Sequence, residues 1–241
     1  MSGVAGKMVI VKDADALAQR AAEIIAERMK EAPYPFRLVL AGGSTPRPVY
    51  RLLAAMGLDW SCCEIFFGDE RLVPLDDPDS NYKMAHDTLL ANPQVAPRKV
   101  FAIPTDGTAD RCAQLYEETL KEQYGASHLA PHVPLFHVTL LGLGDDGHTA
   151  SLLPGQPILQ ERTRWVAPVP EGRDEPRVTL TYTALESSAL ILFLVSGAAK
   201  RDALAQARGG ELPAGALRPQ GQIIWLVDAE AAGDEDQGYG F

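Results

Sequence analysis

Between Gly142 and Ser151 the chain reads GLGDDGHTAS, with Asp146 and His148 two positions apart. An imidazole titrates near neutrality and can take a proton from water; a carboxylate beside it can fix its tautomer and strengthen it as a base. The same decapeptide satisfies G-x-G-x-x-G, the spacing of a loop that cradles a dinucleotide pyrophosphate. A dinucleotide site also requires a helix after the glycines and an acid roughly 20 positions on, ending the next strand. Here the chain continues HTASLLPGQPILQERTRWVAPV. Pro154 and Pro157 interrupt any helix of that length, and Glu161 comes too early. The acid–base reading therefore fits the side chains better. Taken alone, a packing or capping role for His148 and an Asx turn closed by Asp146 would serve as well.

Three further stretches carry polar equipment after apolar runs. In LVLAGGSTPRPVY, Gly42 and Gly43 permit a tight turn, Ser44 and Thr45 supply hydroxyls, and Pro46 suits a first helical turn. Exposed amides at such a helix start favour a phosphate, although Ser44 or Thr45 would equally serve as an ordinary cap. The stretch is not a Walker loop, because GxxxxGK[ST] is absent. FFGDERLVP sets Asp69, Glu70 and Arg71 after a second apolar run, and Arg71 offers planar donors to an oxygen-rich ligand. Arg177 in EPRVTLT and Lys200 in SGAAKRDAL stand at element boundaries, where anion-clamping residues often sit. Each could be merely solvated or salt-bridged. Ser151 lacks the G-x-S-x-G elbow of a hydrolase nucleophile. His86, His128, His132 and His137 have no comparable context, and Cys62, Cys63 and Cys112 show no zinc-type spacing and read as reduced thiols.

Positioning these groups falls to short β-type runs that alternate with helical patterns. KMVIVK, RLVLA, EIFF, KVFAI, LFHVTLLGLG, ALILFLVSG and QIIWLVD read as strands, with WVAPV and RVTLT less clearly so. In ADALAQRAAEIIAERMKEA, which Asp13 or Asp15 can cap, Leu17, Ala21, Ile24, Ile25 and Met29 recur at helical spacing. GDERLVPLDDPDSN reads as a long polar loop. Continuous apolar strands between helices predict one α/β domain over 1–232, a mostly parallel sheet flanked by helices on both faces. In such sheets ligands sit beyond the carboxyl ends of the strands. Four polar loops leave buried strands at that edge: GGST, GDER, GDDGHTAS and SGAAK. Together they point to one shared site.

The formal charge of −10, with no Lys/Arg cluster, argues against a nucleic-acid partner, so an anionic substrate would need a local basic pocket. No apolar run approaches the roughly 20 residues that span a bilayer. The N-terminus lacks the layout of a secretory signal, and a cytoplasmic location is the expectation. Residues 233–241, GDEDQGYGF, read as an acidic, Gly-rich tail that frays.

LAGGSTP, FFGDERLVP followed by DSNYKMA, GLGDDGHTASLLPG, RVTLT and VSGAAK occur in an order that resembles the 6-phosphogluconolactonase family, from about position 38 to 227. The resemblance implies the Rossmann-like fold shared with glucosamine-6-phosphate deaminase and ribose-5-phosphate isomerase. It implies hydrolysis of 6-phospho-D-glucono-1,5-lactone in the oxidative pentose phosphate pathway, with no metal and no organic cofactor. His148 would activate water with support from Asp146. Gly43, Ser44, Thr45, Arg177 and Lys200 would hold the 6-phosphate, and Arg71 would lie near the lactone carbonyl or the sugar hydroxyls. LPAGAL matches loosely and carries no assigned role. The expected partner is a small sugar-phosphate lactone, bound by a monomer or small homo-oligomer. Two other readings use the same equipment. A deaminase or isomerase of this superfamily carries Asp-Glu-Tyr where this chain has GDER, and an Asn-Glu-Pro ending where it has SLLPG. A non-catalytic sugar-phosphate sensor is normally joined to a helix-turn-helix, of which no trace is visible.

Overall fold

The computed structural model describes residues 6–233; the acidic tail beyond Gly233 lies outside them. Strand β1 (Lys7–Val11) leads into helix α1 (Ala14–Glu31), whose start is capped by Asp13 accepting the Ala16 N–H at 2.9 Å. The apolar stripe Leu17, Ala21, Ile24, Ile25 and Met29 is buried, as its spacing requires. There follow β2 (Phe36–Leu40), α2 (Pro46–Ala55), β3 (Cys63–Phe67), β4 (Asp69–Arg71), α3 (Asn81–Ala85), β5 (Lys99–Val100) and α4 (Ala109–Tyr124). The second half comprises β6 (Phe136–Gly142), β7 (Val166–Val169), β8 (Arg177–Leu180), α5 (Tyr182–Glu186), β9 (Ser188–Val195), α6 (Arg201–Gly209), β10 (Gln222–Asp228) and α7 (Ala229–Ala232).

Seven strands form one sheet in the order β1-β10-β9-β6-β2-β3-β5, and every pairing in it is parallel. Its central strands are buried along nearly their whole length, which explains their continuous apolar runs. From β2 the chain proceeds outward through β3 and β5, then returns to build β6, β9 and β10 on the other side. The direction of winding therefore reverses between β2 and β6, and a crevice opens above such a reversal.

One expectation is revised. GDER is not loop: Asp69–Arg71 forms a strand in a second, three-stranded antiparallel sheet, β4-β8-β7. A three-residue strand is too short to display alternation, and its charged residues mask it. WVAPV and RVTLT supply the other two strands, β7 and β8.

Two buried tyrosines fix the ends of neighbouring strands. The Tyr50 hydroxyl accepts the Ala41 N–H at 2.9 Å and donates to the Ala41 carbonyl at 2.7 Å. Tyr116 does the same for Phe67 at 2.9 and 3.2 Å. Each satisfies a donor and an acceptor where the sheet ladder stops, and so holds the next loop in place.

Candidate active site

Above the β2–β6 reversal lies a cleft of about 310 Å³, a size suited to a small metabolite. Gly43, Ser44, Thr45, Arg71, His148, Arg177 and Lys200 all line it. Residues from more than 150 positions of sequence converge because parallel strands deliver their following loops to one edge.

The β2–α2 loop forms one wall. Gly43 has φ +92°, a left-handed conformation that a side chain would strain. A Cβ on Gly42 would stand 2.0 Å from the Asn81 side-chain oxygen. Thr45 already has helical backbone angles, and neither Ser44 nor Thr45 makes a side-chain cap bond. Pro46 opens the helix. The hydroxyls are thus not consumed in capping; Pro46 and Pro48 carry no N–H and the Arg47 N–H donates to the Ser44 carbonyl at 3.2 Å, so the donors at this corner are the hydroxyls rather than the helix amides.

On the floor, β4 and β8 pair so that Arg71 stands directly opposite Arg177. Like charges in such positions repel. Asp69 tempers this, with its carboxylate 3.9 Å from the Arg177 guanidinium. Asp69 also accepts the Ser151 hydroxyl at 2.5 Å and the Asn81 amide at 3.2 Å. Arg177 Nε is buried with no hydrogen-bond partner among the described residues. Burial, outweighing the attraction of Asp69, moves the Arg177 guanidinium below its usual range. An anion in the cleft would offset the cost of burying the guanidinium charge. Glu70, between the two cleft-facing residues, points inward. Its carboxylate accepts the N–H groups of Arg71, Asn81 and Tyr82, each at 2.8 Å, and the Ser80 hydroxyl at 3.0 Å. Burial raises this carboxyl above the ordinary value despite those donors. Glu70 thereby anchors the SN segment to the floor, a structural duty.

The loop after β6 supplies the acid–base pair. Asp146 Oδ1 lies 2.5 Å from His148 Nδ1 and also accepts the His148 backbone N–H at 3.1 Å. A carboxylate only accepts, so this contact sets the proton on Nδ1 and leaves Nε2 as the free basic atom. The turn closes by Gly147 N–H to the Gly144 carbonyl and Gly144 N–H to the His148 carbonyl, at 2.9 and 2.8 Å. Gly144 is required by close approach: a Cβ there would stand 2.0 Å from the imidazole. The LPAGAL segment, which carried no expected role, braces the turn from below, with Ala214 N–H donating to the Gly147 carbonyl at 3.1 Å.

Lys200 comes from the SGAAK loop, which Asp228 holds by accepting from the Ser196 hydroxyl and the Gly197 N–H. Its ammonium lies 2.5 Å from the carboxylate of Asp145, whose side chain is 74% exposed. An exposed pair of this kind is weak and readily exchanged for another anion.

Ser151 is fully buried against Asp69 and faces no ligand space. His137 is stacked on Phe36 and accepts the Arg37 N–H at 2.9 Å. Burial pushes it down to about 4, so it stays neutral and structural. Arg173 escaped the sequence reading. It lies in EGRDEP, a charged turn with no pattern to mark it, yet it reaches Asp146 at 2.6 Å. Among the described residues no cluster of three metal-type ligands occurs, and no helix is long and apolar enough to cross a membrane.

The family model described as glucosamine-6-phosphate isomerases/6-phosphogluconolactonase matches residues 12–225. A protein of Nostoc sp. named 6-phosphogluconolactonase is 38% identical over 236 residues, covering 94% of this chain and 96% of its own. One of the same name from Synechocystis sp. is 38% identical over 200 residues, covering 80% and 82%. Among solved structures, the 6-phosphogluconolactonase of Thermotoga maritima superposes with a TM-score of 0.80 at 28% identity, covering 92% of this chain and 99% of that one. A monomeric glucosamine-6-phosphate deaminase superposes with a TM-score of 0.77 at 25% identity, covering 94% and 98%.

Proposed function

The chain belongs to the glucosamine-6-phosphate isomerase/6-phosphogluconolactonase family, and on that premise we propose that it hydrolyses 6-phospho-D-glucono-1,5-lactone to 6-phospho-D-gluconate. The observation that carries this reading is the convergence in one cleft of a carboxylate-supported imidazole and four groups suited to an anion: Ser44, Thr45, Arg177 and Lys200.

In this mechanism His148 Nε2 removes a proton from a water, whose oxygen attacks the lactone carbonyl carbon. Asp146 stabilises the imidazolium that forms. The carbonyl oxygen gains negative charge in the tetrahedral intermediate, and Arg71 supplies the donor toward it. Collapse breaks the bond to the ring oxygen, which takes up the proton held by His148. The products are the open-chain hydroxyl and a carboxylic acid that ionises in water. A δ-lactone is an activated ester, so a positioned base and a cationic donor suffice, and the reading needs no metal. The 6-phosphate, bound by the Ser44–Thr45 corner with Arg177 and Lys200, supplies binding energy far from the reacting carbon that orients the ring. The reaction's place in the oxidative pentose phosphate pathway follows from the same substrate.

The decisive assay uses freshly generated 6-phosphoglucono-δ-lactone, read against an enzyme-free control and repeated with EDTA. Acceleration unaffected by chelation is expected. No acceleration, with ammonia released from glucosamine 6-phosphate, would move the chain to the deaminase branch. Tight sugar-phosphate binding without turnover would make it a sensor.

A further inference from the structure

Asp146 sits on a short turn, and its side chain is 40% exposed. Its own loop occupies one carboxylate oxygen, through the ring and backbone of His148. The other oxygen, Oδ2, is held from outside the loop. Arg173, in the turn joining β7 and β8, places Nη2 2.6 Å from it.

The same Nη2 lies 3.2 Å from His148 Nδ1. In the tautomer that Asp146 selects, both of these nitrogens carry hydrogens, so they do not bond to each other. The carboxylate between them takes one hydrogen bond from each. Burial acts to raise the Asp146 carboxyl, but the hydrogen bonds from Arg173 and then His148 outweigh it and hold the carboxyl well below the usual range. Were Arg173 absent, water would compete for Oδ2, and the half-exposed carboxylate would be free to rotate off the ring.

Arg173 does not line the cleft, whereas Arg177, four residues on in the same hairpin, does. One hairpin thus delivers one arginine to the ligand space and another to the support of the base.

We propose that Arg173 is a positioning residue, acting through Asp146 to hold the imidazole with Nε2 turned toward the attacking water. The inference rests on the lactonase reading for its catalytic consequence, though not for its structural one.

The test compares Arg173→Gln, Arg173→Lys, Asp146→Asn and the Arg173→Gln/Asp146→Asn double variant in lactone hydrolysis. Arg173→Gln is expected to lower kcat about tenfold with KM held within about twofold. Arg173→Lys should recover part of the loss, and Arg173→Gln should add almost nothing in the Asp146→Asn background, because both act through one contact. In nitrogen-labelled resting protein, the proton on His148 Nδ1 should exchange with water faster in Arg173→Gln than in the parent. Unchanged kcat overturns the proposal, as does full additivity with Asp146→Asn. A raised KM with kcat preserved overturns it too, because Arg173 would then be a substrate ligand. If the parent protein does not hydrolyse the lactone, the lactonase reading fails; the exchange measurement still decides whether Arg173 holds Asp146 on the ring.

Discussion

At one end of the cleft, Asp146 is bonded to a ring nitrogen, a backbone amide and a guanidinium. At the other end, Ser44 and Thr45 leave their hydroxyls uncommitted to capping, the Arg177 guanidinium is largely buried, with its Nε unpartnered among the described residues, and Lys200 rests on an exposed carboxylate. The first end is satisfied before any ligand arrives; the second is short of an anion. A general base gains from being fixed in one rotamer and tautomer, because reaction depends on its geometry to a fraction of an ångström. A phosphate site gains from unspent donors, because each bond already made inside the protein must be broken when the ligand binds.

The largest effect should come from the pre-organised end. His148→Ala is expected to lower kcat by about 10²–10⁴-fold, with the circular dichroism spectrum and KM nearly unchanged. Hydrolysis at the parent rate would remove His148 as the base and collapse the contrast between the two ends. Gly144→Ala tests whether fixation itself matters. The added methyl would collide with the imidazole, and displacement of the ring by about 1 Å should cost about a hundredfold in kcat with KM little affected. Comparable loss in both parameters would mean that the turn shapes the whole cleft.

The open end should respond in the other parameter. Lys200→Ala is expected to raise KM about tenfold, since a charge-assisted bond is worth about 1.5–3 kcal/mol, with a smaller change in kcat. Weaker inhibition by inorganic phosphate should accompany it. A fall in kcat alone would place Lys200 at the reacting centre instead.

The smallest effect concerns stability. The Asp146 carboxyl is held below its ordinary value in the folded chain, so its contribution is present above the unfolded value of about 3.9 and is lost as pH falls below that. Melting temperatures of the parent and Asp146→Asn should therefore differ slightly near neutrality, keep that gap down to about pH 4, and begin to converge only as the pH is lowered further. Partial exposure keeps the gap small. A gap that widens on acidification would contradict the assignment.

Much of this was legible in the chain. The apolar runs at β6, β9 and β10 are long enough to read as buried strands, and Asp13 and Pro46 mark helix starts by residue type alone. The glycines around Asp146 announce a turn. The second sheet was not legible: β4 is three residues long and carries Asp69, Glu70 and Arg71, so no pattern of burial shows in its letters. Its effect on the site is large, since its pairing sets Arg71 against Arg177 across more than 100 positions. Arg173 was hidden for a related reason. A charged residue in a charged turn has no local signature, and its partner becomes visible only when the hairpin folds back over the β6 loop.

By itself, the sequence determined the kinds of chemistry available and the α/β framework, because residue type, helical spacing and strand hydrophobicity are local properties. Tertiary structure decided which charges face one another, which of them are already paired and which remain open to a ligand. Those outcomes depend on strand order and on register between distant segments, and electrostatic and hydrogen-bonding energies follow distances in space, which the order of the letters does not contain.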